Sequence, residues 1–178
     1  MYDDVLHFWF EEISPEQWWV KDAAFDRQIA GRFAGLHRQA CLCELYGWRS
    51  EARGRLAEII VLDQFSRNMF RDSPQAFAQD GQALSLAQEA IAVGADRELN
   101  QKERNFLYLP FMHSESETIH ETAVRLFETN GLESALDYEF RHQRIIRRFG
   151  RYPHRNTILG RESTAEELEF LEQPGSGF

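Results

Sequence analysis

Residues 147–161 read RRFGRYPHRNTILGR and hold five arginines, one histidine and no carboxylate. The formal charge of the whole chain is -9, so without these five positive charges the rest stands at -14. Arginines gathered in this way bind carboxylates or phosphates through paired, charge-assisted N–H donors, or neutralise the protein's own buried acids. Two of them have an ordinary role. Arg147 and Arg148 fall in the last turn of a helix expected over about 133–149, where the backbone dipole favours positive charge. Gly150 stops that helix, and Pro153 biases Tyr152 towards extended backbone. What remains is a loop with Arg151, His154, Arg155, Asn156 and Arg161 as polar tips and Tyr152, Ile158 and Leu159 as apolar anchors. Such a loop suits an anion, and it equally suits the satisfaction of orphan helix carbonyls.

A second concentration of chemistry lies on a helix expected over residues 52–70. With Leu56 at zero and about 100° per residue, Ile60 falls near 40°, Asp63 near -20° and Arg67 near 20°. Asp63 and Arg67 therefore stand inside the apolar stripe, spaced to form an ion pair along the helix. Val61, Leu62 and Phe65 lie on the other faces, so the helix is apolar nearly all round and should be central. A buried structural pair is one reading of Asp63 and Arg67. A polar patch in a groove is the other, and it requires a third polar partner. His142 is the first candidate, because it lies on the face that Ala135, Ile146 and Phe149 define.

The elements that must carry these residues are helices. Glycine and proline are sparse, 11 and 5 in 178 residues. Apolar residues recur at helical spacing from Phe25 through Ile29, Phe33, Leu36, Ala40 and Cys43 to Tyr46. The same pattern runs through Leu84, Ala87, Ala90 and Ile91 to a stop at Gly94, and through Ile119, Ala123, Leu126 and Phe127 to the Asn130-Gly131 cap. Shorter helices are expected over 3–12 and 101–112, the latter kinked or ended by Pro110. Ser163 and Thr164 stand at capping-box spacing from Glu166 and Glu167, opening a short final helix. Strand alternation is missing over any useful length, and the fold class is all-α. The length fits one domain over residues 1–178, able to bury roughly two thirds of its unfolded surface.

Several function classes are disfavoured. Net negative charge repels phosphate backbones, so nucleic acid is not an expected partner. No apolar run reaches the roughly 18 residues that span a membrane, and the first residues lack the basic region of a signal peptide, so a cytoplasmic protein is expected. GxSxG, GxGxxG and GK[ST] loops are absent, and no cofactor is expected. Cys41 and Cys43 lie two apart on an expected helix and point about 200° apart, which disfavours a disulfide. The aromatic runs Phe8-Trp9-Phe10 and Trp18-Trp19 are expected to plug one end of a helical stack. The tail Gln173-Pro174-Gly175-Ser176-Gly177-Phe178 either folds back into a groove or frays.

Four motifs carry a resemblance: VLHFWF at 5–10, LDQFSRNMFR at 62–71, LPFMHSE at 109–115 and FGRYPHRNTILGRESTAEE at 149–167. Over nearly its whole length the chain resembles a bacterial family catalogued as a domain of unknown function. The resemblance implies a tetratricopeptide-like fold, about 8 to 10 helices in antiparallel pairs stacked into a right-handed superhelix, though no 34-residue repeat is visible here. It supplies architecture and candidate residues, but no reaction. The motifs add His113 and Glu115 after the Pro110 break, and Gln64 and Asn68 beside Asp63 and Arg67. If the fold gathers them, Asp63, Gln64, Arg67, Asn68, His113, Glu115, His142, His154, Arg155, Asn156 and Arg161 form one pocket of mixed charge. A metal reading on His113, Glu115, His142 and His154 lacks HExxH spacing, and no metal is expected. The first functional expectation is a helical binding module whose Arg/His/Asn-lined groove takes an acidic peptide or a small anion. A scaffold protein whose polar network only fixes helix packing, and a small enzyme using acid/base chemistry in the same pocket, are the alternatives.

Overall fold

The computed structural model describes residues 2–177, and among these it is all-helical, with nine α-helices and no strand. The first helix, α1 (Tyr2–His7), runs on into a π turn at Phe8–Glu12. Helix α2 (Ala23–Cys41) starts where the Asp22 carboxylate accepts the backbone N–H groups of Ala24 and Phe25, at 2.7 and 3.3 Å. Phe25, Ile29, Phe33 and Ala40 form its buried stripe. The periodicity that pointed to continuation as far as Tyr46 is misleading. Cys43 turns left-handed at φ +58°, the helix stops at Cys41, and Tyr46 is exposed. Both cysteines are free thiols.

Next comes the rod on which the rest is built. Helix α3 (Ala52–Ile60), a π turn at Val61–Phe65 and α4 (Ser66–Met69) follow one another with α-helical dihedrals at both joints. Leu56, Ile59, Ile60, Leu62 and Phe65 have no exposed surface, as expected of a helix apolar on every face. Helix α3 packs against α1, α5 (Asp80–Ala92) and α6 (Gln101–Met112), while the π turn and α4 pack against α2. Phe8 and Trp9 belong to this core, in ring contact with Phe25 and Phe65, and Trp19 at the edge is exposed.

Helices α6, α7 (Glu117–Asn130) and α8 (Glu133–Phe149) form an antiparallel meander. Gln101 and Asn130 exchange side-chain and backbone hydrogen bonds of 2.8 and 3.0 Å, joining the start of α6 to the end of α7. The end of α8 meets the start of α7 through Arg147 and Glu117. Gly131 and Gly150, at φ +75° and +68°, end α7 and α8 in the left-handed conformation that glycine adopts without a Cβ clash. Pro110 does not end α6, which runs on to Met112 and turns at His113.

After α8 the chain is irregular, with a single 3-10 turn at Pro153–Arg155, until a Thr164/Glu167 capping box opens α9 (Ala165–Leu171). Tyr152, Ile145 and Ile146 make a small second core, with Phe149 and Phe170 against it. Beyond α9 the chain reverses, and a Cβ on Gly177 would stand 3.8 Å from the His154 Cβ. Phe178 lies outside the described residues. No helix among the described residues is long and apolar enough to cross a membrane.

Candidate functional site

Asp63 is the innermost charge, with 1% of its side chain exposed. The π turn that holds it faces the end of α6, and His113 Nδ1 lies 2.7 Å from one carboxylate oxygen while the Gln64 amide donates to the other at 2.5 Å. Arg67 stands 3.3 Å from the same carboxylate. The third polar partner is thus His113. His142 is buried nearby but directs Nδ1 to the Tyr138 carbonyl oxygen at 2.7 Å.

Arg67 reaches further, placing two nitrogens on the two oxygens of Asp80 at 2.8 and 3.1 Å. Arg155 shares that acid at 3.3 Å and donates to the His113 carbonyl oxygen at 3.1 Å. Its guanidinium is sandwiched between the rings of Phe77 and Tyr152, 4.6 and 4.5 Å from their centroids. Nε of Arg155 is buried and has no hydrogen-bond partner among the described residues. Tyr152 is the hub of this end of the molecule. Its ring is 5.7 Å from His142 and 5.6 Å from His154, and its hydroxyl donates to the Met112 carbonyl oxygen at 2.6 Å.

A second group fastens the loop after α8. Arg161 holds Glu115 with two nitrogens at 2.6 and 2.9 Å and donates from Nε to Asn156 at 3.0 Å. Glu115 also accepts the Tyr152 N–H at 2.8 Å. Fully buried Asn156 donates onward to Ser163 and Glu167, and Arg151 closes the group on Glu167.

Charge in the cluster follows from these contacts. Burial works against the Asp63 carboxylate, yet Arg67, His113 and Gln64 outweigh it and hold the group well below the usual carboxylate range. Burial, reinforced by Arg67, lowers His113, so a neutral ring donates Nδ1–H to Asp63. Burial pushes His142 down to about 3, with the neighbouring imidazoles adding to the effect. His154 is lowered to about 4 by burial and then by Arg155. Even the Arg155 guanidinium is lowered, by burial and by the nearness of Arg67. Arg67 thus adds to burial at His113 and Arg155, while His142 and His154 are disfavoured as cations in part by neighbouring bases.

The family model described as a bacterial protein of unknown function, DUF924, matches residues 5–175. This chain belongs to the DUF924 family. The protein of unknown function ATU0120 from Agrobacterium tumefaciens has a solved structure to which this DUF924 chain is similar, at 40% identity over 96% of each chain with a TM-score of 0.91. No curated protein matches.

Of the residues singled out in the sequence, Asp63, Gln64, Arg67, His113 and Arg155 meet directly, and Glu115, Asn156 and Arg161 form the adjoining group. His142 and His154 flank Tyr152, between the two. Asn68 is elsewhere: it donates to Asp26 at 2.9 Å on the α2 side, beside Arg71. Among the described residues no three His, Cys, Asp or Glu side chains converge as metal ligands. Sequence reasoning passed over Asp80 and Phe77, which nothing local marks, and took Tyr152 for a plain apolar anchor. It also passed over a wholly buried pair in which His120 Nδ1 lies 2.6 Å from Glu139 and Nε2 lies 2.8 Å from the Ser114 carbonyl oxygen. His120 precedes Ala123 and Phe127 by three and seven residues, so its place on a buried stripe was available as a signal.

Proposed function

We propose that this chain is a helical binding module that takes a carboxylate or phosphate group at the face formed by His113, His154, Arg155 and Arg67. The observation that carries this reading is Arg155. A buried guanidinium beside a second guanidinium, with an Nε–H that no described acceptor takes, is a donor array with spare capacity. Leaving such a donor unpaired costs about 1 to 3 kcal/mol, which an incoming oxygen recovers. Arg67, Asp80 and His113 keep 20%, 18% and 15% of their side chains exposed, so the cluster has a wet rim. A small anion, or an acidic side chain of a peptide, matches this scale.

Thermal shift of the purified protein against phosphate, citrate and an acidic peptide tests the proposal, with His154→Ala as the control. At a hundredfold excess over Kd a ligand stabilises by about 2.7 kcal/mol, which is about 5 to 10 °C for a domain of this size. That shift is expected in wild type and lost in the variant. A second reading has its own support: Asp63, Asp80 and Glu115 are each paired with an arginine of the same chain, the pattern of a network that fixes helix packing. An unchanged melting temperature with every ligand favours that scaffold role.

A further inference from the structure

Residues 172–177 leave α9 and turn back on it. The Gln173 N–H donates to the Phe170 carbonyl oxygen at 3.0 Å, the Ser176 N–H to that of Gln173 at 3.3 Å, and the Ser176 hydroxyl to that of Leu171 at 3.0 Å. Gly175 makes the reversal at φ +80°, a conformation that side-chain-bearing residues rarely adopt. The turn brings the Gly177 backbone near His154, at the edge of the proposed anion site, where a Cβ on Gly177 would stand 3.8 Å from the His154 Cβ. Gln173, Pro174, Gly175, Ser176 and Gly177 include no large apolar side chain, and all but Ser176 are exposed. The side chains of Gln173 to Gly177 therefore supply little hydrophobic burial of their own. The segment's glycines do allow a main chain to come close to His154, as a peptide ligand must if its backbone is to meet the site's donors.

Resting on the anion-binding reading, we propose that the His154 face is a peptide-docking surface and that residues 172–177 occupy it in cis. The partner is a narrow, Gly/Ser-containing peptide with acidic groups, for which the chain's own tail is a tethered competitor. The tail is secured by few hydrogen bonds, so a peptide in solution can displace it. A short tether gives the tail an effective concentration in the millimolar range, and the site is screened until a better or more concentrated peptide arrives.

The test uses the full chain and a fluorescein-labelled peptide of residues 172–178, read by fluorescence anisotropy. Gly175→Val strains the reversal and loosens the tail without touching the site. This variant is expected to bind the peptide about tenfold more tightly than wild type, as removal of a tethered competitor requires. His154→Ala combined with Gly175→Val is expected to lose that binding, with circular-dichroism melts of all variants verifying that each is folded. Equal affinity of wild type and Gly175→Val overturns the tethered competitor. Phosphate and citrate, titrated against Gly175→Val in parallel, separate the two claims. If these anions bind and the peptide does not, the peptide surface is wrong and the anion site stands; if neither binds, both fall.

Discussion

Replacing Asp63 by alanine removes the one carboxylate around which α6, the π turn and α4 are arranged. The side chain is almost completely buried and makes three polar contacts, to His113 at 2.7 Å, Gln64 at 2.5 Å and Arg67 at 3.3 Å. Breaking a buried pair by deleting one partner costs about 3 to 5 kcal/mol, because the surviving charge stays desolvated. Here Arg67 keeps both oxygens of Asp80, which limits the loss on its side. Among the described residues the His113 Nδ1 and Gln64 amide donors have no second partner. An expected loss of about 3 kcal/mol follows, and with a urea slope of about 2 kcal/mol/M the midpoint should fall by about 1.5 M. Asp63→Asn retains an acceptor for His113 and should lose less. Urea unfolding at neutral pH, followed by far-ultraviolet circular dichroism, measures both. A loss below about 1 kcal/mol for Asp63→Ala is what a solvent-screened pair would give, and it would refute the buried-network argument.

Arg155→Ala should cost about 2 kcal/mol or more in the same assay, since it strips Asp80 and the His113 carbonyl of a donor and empties the space between Phe77 and Tyr152; an unchanged midpoint would mark it as a ligand contact alone. His142 has an ordinary value of 6.5 and a folded value of about 3, so the unfolded chain binds more protons between them and stability falls as pH drops through that window. Between pH 7 and pH 5 this one group should cost about 2 kcal/mol, and His142→Gln should flatten the decline by that amount. Parallel pH profiles for the two proteins would exclude the assignment. Gly54→Ala should destabilise by about 2 kcal/mol or more, because its Cβ would press on the Trp48 carbonyl oxygen and the backbone must move; a neutral melting temperature would contradict that packing.

Much of the frame was legible because it obeys local rules. The bounds of α8, the Gly94, Gly131 and Gly150 stops and the Thr164/Glu167 box follow from glycine's tolerance of positive φ and from capping geometry, which involve only a few neighbouring residues. The end of α2 was not legible, because the left-handed residue there is Cys43, a type that rarely adopts it. The helix expected over 101–112 is there with those bounds, and it runs two residues beyond Pro110. At the site, the Asp63–Arg67 pair was visible as a four-residue spacing on an apolar face, since both partners sit on one rod. Its company was harder. Counting 100° per residue breaks down across the π turn at Val61–Phe65, and whether His113 or His142 meets Asp63 depends on how α6 and α8 pack, which no spacing within one helix encodes. Asp80 and Phe77 belong to a turn and a helix start whose residues look ordinary until the fold brings Arg67 and Arg155 onto them.

The buried His120–Glu139 pair has a spectroscopic consequence. Nε2 of His120 faces the carbonyl oxygen of Ser114, which can only accept, and the Tyr152 hydroxyl 3.1 Å away directs its one hydrogen to Met112, so that nitrogen carries hydrogen. On the other side a single proton lies between Nδ1 and the carboxyl oxygen 2.6 Å away, whichever of the two groups owns it. Neither side chain has any exposed surface, so solvent reaches that proton only when α7 and α8 part locally. The molecule thus contains a built-in reporter on its own opening: a far-downfield proton resonance whose rate of exchange into deuterated water times the separation of those two helices.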